Sequence, residues 1–383
     1  MSLKLWIALI VLSLSSFAIV TTELAPIGLL SALAHDLNQS EAITGLIVTG
    51  YGWVAAISAL CSIVLLIRFP RKMVLMIMLL ILAISNIIVA YSSSFNMILS
   101  ARIIGAIAHG SFWALIGAVA YSLVPKHKLG LATSIIFSGV SVASILGVPL
   151  ASYLTQLSSW RLAFEFLGLL SFIVCILILL FVPKIPDQAP LASGFFKKVL
   201  QHSTLNRLFI LTALIISSHF AAFTFIEPFL SQIAQLESGQ ITLLLLVFGL
   251  AGLIGNILAG KLIDRHLHTI ILISLVFISG SVFAFGYLGY QVTLSIAIVF
   301  LALWGVSIAS IFVGLQTWVL KQADDLASAA SAIYVAVFNA SIGLGALIGS
   351  FMLQYVTLNR AFEIITIFLI FSLYLLQKFN RTH

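Results

Sequence analysis

Twelve apolar runs, each about twenty residues or longer, occupy most of this chain. They lie at 5–30, 42–67, 73–92, 97–121, 129–154, 161–182, 207–231, 239–262, 268–288, 291–320, 325–352 and 360–379. A helix crosses a ~30 Å hydrocarbon core in about 20 residues, at ~1.5 Å per residue. Twelve such spans use roughly 240 positions. The remainder of the 383 residues suffices only for short loops and tails. No loop has room for a nucleotide-binding or catalytic domain, which excludes a pump carrying its own ATPase.

The composition agrees. Charged residues make up 8% of the chain and hydrophobic residues 62%, whereas a soluble domain carries about 25% charged residues. Gly, Ser and Thr recur through the runs, as expected where helices pack closely in lipid. The period-two alternation of a membrane barrel is almost absent. The expected fold is an all-α membrane protein with twelve transmembrane helices.

Net charge is +7, and the placement of the basic residues explains it without a nucleic-acid partner. With the N-terminus cytoplasmic and the loops alternating, fifteen of the eighteen Lys and Arg residues fall on the cytoplasmic side. Only Arg161 and Arg360 fall outside, and Arg102 lies within a span. This positive-inside bias predicts that both termini are cytoplasmic. Cys61 and Cys175 sit inside apolar runs and imply no disulfide framework.

The longest hydrophilic stretch, from Pro183 to Arg207, divides the chain into an N-terminal six-helix bundle (1–182), a cytoplasmic linker (183–206) and a C-terminal six-helix bundle (207–383). The halves echo one another. Trp160-Arg161-Leu162-Ala163-Phe164-Glu165 opens the sixth span and Arg360-Ala361-Phe362-Glu363 the twelfth, while Glu23 with Pro26 is answered by Glu227 with Pro228. Internal symmetry of this kind marks transporters built from repeats.

A charge inside the bilayer costs about 2.5–3.5 kcal/mol on insertion scales and needs a reason. Glu23 and Arg102 lie at similar depth in spans one and four. They are either a buried ion pair joining the two spans or a coupling pair in which protonation of Glu23 releases Arg102. His109 and His219 fall near the midplane, where an imidazole serves as a core residue, a proton relay or a substrate contact. Glu227 lies eight residues beyond His219, two turns along the same helical face. Asn339 reads as a cavity contact or as interhelical glue. The intramembrane aromatics Tyr51, Trp113 and Phe223 are packing residues unless they face a cavity, where they would stack on sugar rings or planar drugs. Gly255 to Lys261 has phosphate-loop spacing, but Leu262 replaces the required Ser or Thr and the segment ends an apolar helix. Neither metal-ligand spacing nor a nucleophile with an adjacent base is present, and no cofactor is expected.

The chain resembles the major facilitator superfamily along its whole length, and within it the twelve-span drug:proton antiporters. The likeness is greatest to SotB-type bacterial sugar efflux transporters and AraJ-like proteins. It is carried by Thr21–Leu30, Arg102–Trp113, Leu146–Leu150, Trp160–Phe164, Ile226–Phe229 and Asn339–Gly349. The resemblance implies two pseudo-symmetric six-helix bundles around a midplane cavity, in a multi-pass protein of the bacterial inner membrane. Arg102 with Gly105 is similar to the span-four motif associated with proton transfer. Gly139, Gly147 and Pro149 look like the span-five motif of antiporters, without its usual Gly-Pro pair. Gly260, Leu262, Asp264 and Arg265 match the loop motif that latches the cytoplasmic gate, whose first-half counterpart, Arg68 to Lys72, has no aspartate.

The expected function is export of a sugar or amphipathic drug by proton antiport. In that reading Glu23, Arg102 and His109 couple the proton, and His219, Glu227, Asn339, Tyr51, Trp113 and Phe223 meet the substrate. Protons, a small solute and the bilayer are the partners, and a monomer is expected. A symporter or passive facilitator is the alternative, with a receptor or intramembrane enzyme more remote.

Overall fold

The structure is a computed structural model describing residues 3–66, 69–124, 129–185, 195–323 and 326–380. The first half comprises α1 (Leu3–Leu24), α2 (Leu30–Asp36), α3 (Glu41–Leu65), α4 (Arg71–Ala90), α5 (Phe95–Leu123), α6 (Leu129–Leu157) and α7 (Trp160–Phe181). A short helix, α8 (Phe195–Gln201), precedes α9 (Ser203–Phe223) and the single turn α10 (Ile226–Pro228). They are followed by α11 (Ser238–Leu288), α12 (Leu294–Ala323), α13 (Ala327–Met352) and α14 (Leu358–Asn380).

Eleven segments among the described residues are long and apolar enough to cross a membrane. The 29-residue α5 is a twelfth helix of spanning length. The runs at 239–262 and 268–288 are two limbs of α11, which bends at His266 with non-helical dihedrals. No loop separates them, so His266 and His268 sit on helix, and His268 Nε2 lies 3.3 Å from the Leu376 carbonyl.

Local chemistry fixes where these helices start. Ser40 and Ser94 cap α3 and α5 by accepting from the Ile43 and Met97 amides, which satisfies donors that a first turn leaves free. Glu237 and Gln240 form a capping box ahead of α11. Outward faces are apolar throughout, with Leu180 66% and Ile210 63% exposed, as lipid-facing positions must be.

Two breaks shape the first and seventh spans. The α-helix of span one ends at Leu24 and passes through a 3₁₀ turn, Ala25–Leu29, that contains Pro26. Span seven breaks at a turn over Thr224 and Phe225, resumes as the single α-helical turn Ile226–Pro228 and then widens to a π turn over Phe229–Ile233. Proline lacks the N–H that the carbonyl four residues earlier would accept. In span one that carbonyl belongs to Thr22.

Within the first half α1 packs on α6, α3 on α5 and α4 on α7; in the second, α11 packs on α12 and α9 on α13. Trp304, Phe285, Phe229 and Phe362 are fully buried at the centre of the second half. The halves meet along α3 with α13 and along α6 with α11. Glycine sets both approaches: a Cβ on Gly52 would lie 2.7 Å from the Gly343 nitrogen, and one on Gly249 2.5 Å from the Ile145 Cα.

Candidate functional site

Between the halves lies a cavity of about 390 Å³. One wall carries Glu23 from α1, His109 and Trp113 from α5, and Phe137, Ser141 and Ser144 from α6. The opposite wall carries His219 and Phe223 from α9, Phe248 and Asn256 from α11, Phe312 and Gln316 from α12, and Tyr334 and Asn339 from α13. Most of the lining is apolar or aromatic, with polar groups at a few separated points.

The end of the bundle opposite the termini is closed. Glu227 Oε2 accepts from the Ser31 amide at 2.9 Å, and Glu41 Oε1 accepts from the Ser31 hydroxyl at 3.1 Å. Gln232 also donates to Glu41. Ser152 and Thr242 hydroxyls meet at 2.7 Å, and Gln156 donates to the Ser238 carbonyl at 2.9 Å. Every one of these bonds except the Ser31–Glu41 contact joins the first half to the second.

Arg102 is fully buried, but its target differs from the expected carboxylate. Its Nη1 donates to the Thr22 carbonyl at 2.7 Å and its Nη2 to the Glu23 carbonyl at 3.3 Å. The first of these is the carbonyl that Pro26 leaves without a helical donor. A guanidinium presents several N–H groups in one plane and can serve two adjacent carbonyls together. Tyr51 stacks on this group, 4.1 Å from its ring centre, so Tyr51 lies behind the cavity wall.

The Glu23 carboxylate turns instead to the other side. Its Oε2 lies 3.7 Å from His109 Nε2, ion-pair range if the imidazole is protonated but too long for a hydrogen bond. Glu23 Oε1 and His109 Nδ1 are buried with no hydrogen-bond partner, as are Tyr51 Oη, Arg102 Nε and Asn86 Oδ1. Buried polar atoms are nearly always satisfied, so this cluster stands out. The polar neighbours of His109 include the Ile19 carbonyl and the Asn339 side chain across the cavity.

In the second half His219 Nδ1 accepts from the Trp304 indole at 3.0 Å. The His219 ring stacks on Phe223, with centroids 5.1 Å apart, and Phe223 stacks on Phe248 at 4.6 Å. Glu227 is buried but lies off the cavity wall, in the closure described above.

Among the described residues, the remaining sequence-derived positions are absent from the cavity wall. Gly139 lets α6 press on α1, since a Cβ there would fall 1.9 Å from the Ser13 carbonyl oxygen, while Gly147 leaves ordinary contact space beside Thr21. Pro149 lies inside α6. Gly260 has open space around it and Arg265 is exposed, while the side chain of Asp264 lies outside the described residues. Cys61 and Cys175 are both free thiols. Sequence reasoning missed Ser141, Ser144, Asn256 and Gln316, although uncharged polar residues inside apolar runs are a usable signal. It also missed Phe137, Phe248, Phe312 and Trp304, which nothing separates from packing aromatics.

Among the described residues, twelve segments of spanning length in two packed halves, around a cavity that is tied shut at one end, have the architecture of a membrane transporter. The chain belongs to the Major Facilitator Superfamily, whose sequence profile matches residues 5–346. It is 32% identical over 354 residues to a probable sugar efflux transporter of Mannheimia succiniciproducens, covering 91% of this chain and 87% of the relative. A probable sugar efflux transporter of Helicobacter pylori is also 32% identical, over 91% of this chain and 89% of its own length. Among solved structures, the nucleoside transporter NupG superposes with a TM-score of 0.81 at 17% identity, covering 98% of this chain and 99% of that one. The xylose transporter XylE from E. coli, partially occluded and inward open, gives 0.79 at 17% identity, covering 99% and 98%. These two share the fold.

Proposed function

We propose that this protein exports a small neutral ring-bearing solute, a sugar or an amphipathic glycoside-like molecule, in exchange for protons. The relatives named as probable sugar efflux transporters support the solute class. The cavity supports it further: aromatic faces suit the apolar face of a ring, and scattered donors and acceptors suit its oxygens. In this reading the halves, divided at the 183–206 linker, rock about the cavity in the bacterial inner membrane with both termini cytoplasmic. The observation that carries proton coupling is the Glu23–His109 pair, 3.7 Å apart, with unpartnered buried atoms on both side chains. A proton bound there changes the charge of a cavity wall, and that difference is what biases one state of the carrier over the other. Arg102 holds the broken helix that presents Glu23. Glu227 and Glu41 hold the far gate, so their protonation or separation accompanies opening.

Proteoliposomes with a trapped pH dye and an imposed proton gradient test this reading. Added sugars or glycosides should drive proton movement opposite to solute movement, and Glu23→Gln should abolish that movement while leaving solute binding detectable. Full proton-driven transport by Glu23→Gln would reject the coupling site. Solute flux with no proton flux in the parent protein would leave a passive facilitator.

A further inference from the structure

Trp304 is fully buried and absent from the cavity wall, yet its only polar atom governs one that belongs to the wall. An indole offers a single N–H and no acceptor. Buried, it needs a partner, and here the partner is His219 Nδ1 at 3.0 Å. Nδ1 must then present its lone pair, which places the ring proton on Nε2. A second proton on Nδ1 would meet the indole N–H head-on. Among the described residues Nε2 has no hydrogen-bond partner, and His219 lines the cavity.

The surroundings restrain the ring as well as its tautomer. Phe223 stacks on one face, while the edges of Phe220 and Phe312 close on it at centroid distances of 4.7 and 5.9 Å. We propose that Trp304 is a positioning residue: it locks His219 as the Nε2–H form, giving the aromatic wall a fixed hydrogen-bond donor for an oxygen of the solute. This rests on the cavity being the transport site. It also separates two histidines of opposite character. His109 leaves Nδ1 without a hydrogen-bond partner and so without a fixed tautomer, whereas His219 is held in one form and reads the solute. A donor fixed at this point favours solutes with an acceptor oxygen over lipophilic cations.

The full-length protein in nanodiscs, labelled with nitrogen-15 histidine, tests this by NMR, with the His219 signals assigned from a His219→Gln difference spectrum. The expected result is a protonated Nε2 and an unprotonated Nδ1 in the parent, replaced by exchanging tautomers in Trp304→Phe, which keeps the packing ring and deletes the donor. Nδ1 protonation in the parent, or an unchanged tautomer in Trp304→Phe, would overturn the proposal. If Trp304→Phe does not reach the membrane, the parent spectrum alone decides. Binding of 4-nitrophenyl β-glucoside should weaken about 2- to 13-fold in Trp304→Phe, the equivalent of one net hydrogen bond, with tetraphenylphosphonium binding unchanged. Equal weakening of both probes would mean that Trp304 acts only through packing. Failure of the glucoside to bind the parent at all would sink the solute class proposed above, while the tautomer result still decides the role of Trp304.

Discussion

Gly249→Ala should open the far end of the bundle. The new Cβ would sit 2.5 Å from Ile145 Cα and 2.6 Å from the Ile145 oxygen, against roughly 3.5–4.0 Å for unstrained carbon contacts. Both obstructing atoms are backbone, so no side chain can swing aside, and α6 and α11 must part by about an ångström. That carbonyl is also the one left without its helical donor by Pro149, which lets it lie against a bare Cα–H. Overpacking of this kind costs about 1–3 kcal/mol. The cost falls only on the state in which the two helices touch, so the open-to-closed ratio should rise roughly 5- to 160-fold. A cysteine in place of the cavity residue Val148, with Cys61 and Cys175 replaced, reports the change through its labelling rate with an impermeant maleimide offered from the far side. Gly280→Ala is the control, because a Cβ there meets nothing within 4 Å. Labelling within twofold of the parent, in Gly249→Ala protein that reaches the membrane, would refute the reasoning.

Glu227→Ala removes the acceptor for the Ser31 amide and should raise labelling at the same cysteine several-fold; unchanged labelling would return Glu227 to a passive role. Arg102→Lys should lower stability by about 1–3 kcal/mol, because one ammonium replaces a fork serving two buried carbonyls; a thermal melt of the purified protein measures it. Pro26→Ala restores a helical N–H for Thr22 and should recover part of that loss in the double variant, a coupling that strictly additive melts would disprove. Asn256→Ala and Gln316→Ala should change which glycosides compete for the cavity while leaving stability within about 0.5 kcal/mol, checked by competition binding beside the same melt.

The twelve spans were legible because lipid imposes one rule on every helix: its length and its apolar character must match the bilayer. The periodicity that would show which side faces the cavity is weak, since lipid-facing and core-facing residues are both apolar. Tyr51 and Trp113 therefore read alike in the sequence. The structure separates them, with Tyr51 under Arg102 and Trp113 on the wall. Glu227 misled for a related reason. Two turns beyond His219 means the same face only on an unbroken helix, and α9 ends at Phe223, with a turn at Thr224 and a non-helical Phe225 before α10 begins, which destroys that register.

Glu23 and Arg102 show how depth alone can be right and the contact wrong. Equal depth in neighbouring spans brings the residues together, and opposite charge suggests a pair. Pro26 supplied the missing information, because it predicts an orphan carbonyl at Thr22 that a buried cation can satisfy. With the guanidinium spent on backbone, the carboxylate is left to His109. An ion pair with Arg102 would hold Glu23 charged and compete with any incoming proton. Under the proposed coupling role, a carboxylate that faces a histidine and keeps an unpartnered oxygen is the group that would exchange a proton as the carrier changes state. In that proposal the break in the first helix, by occupying Arg102 with backbone carbonyls, is what leaves the acid to His109.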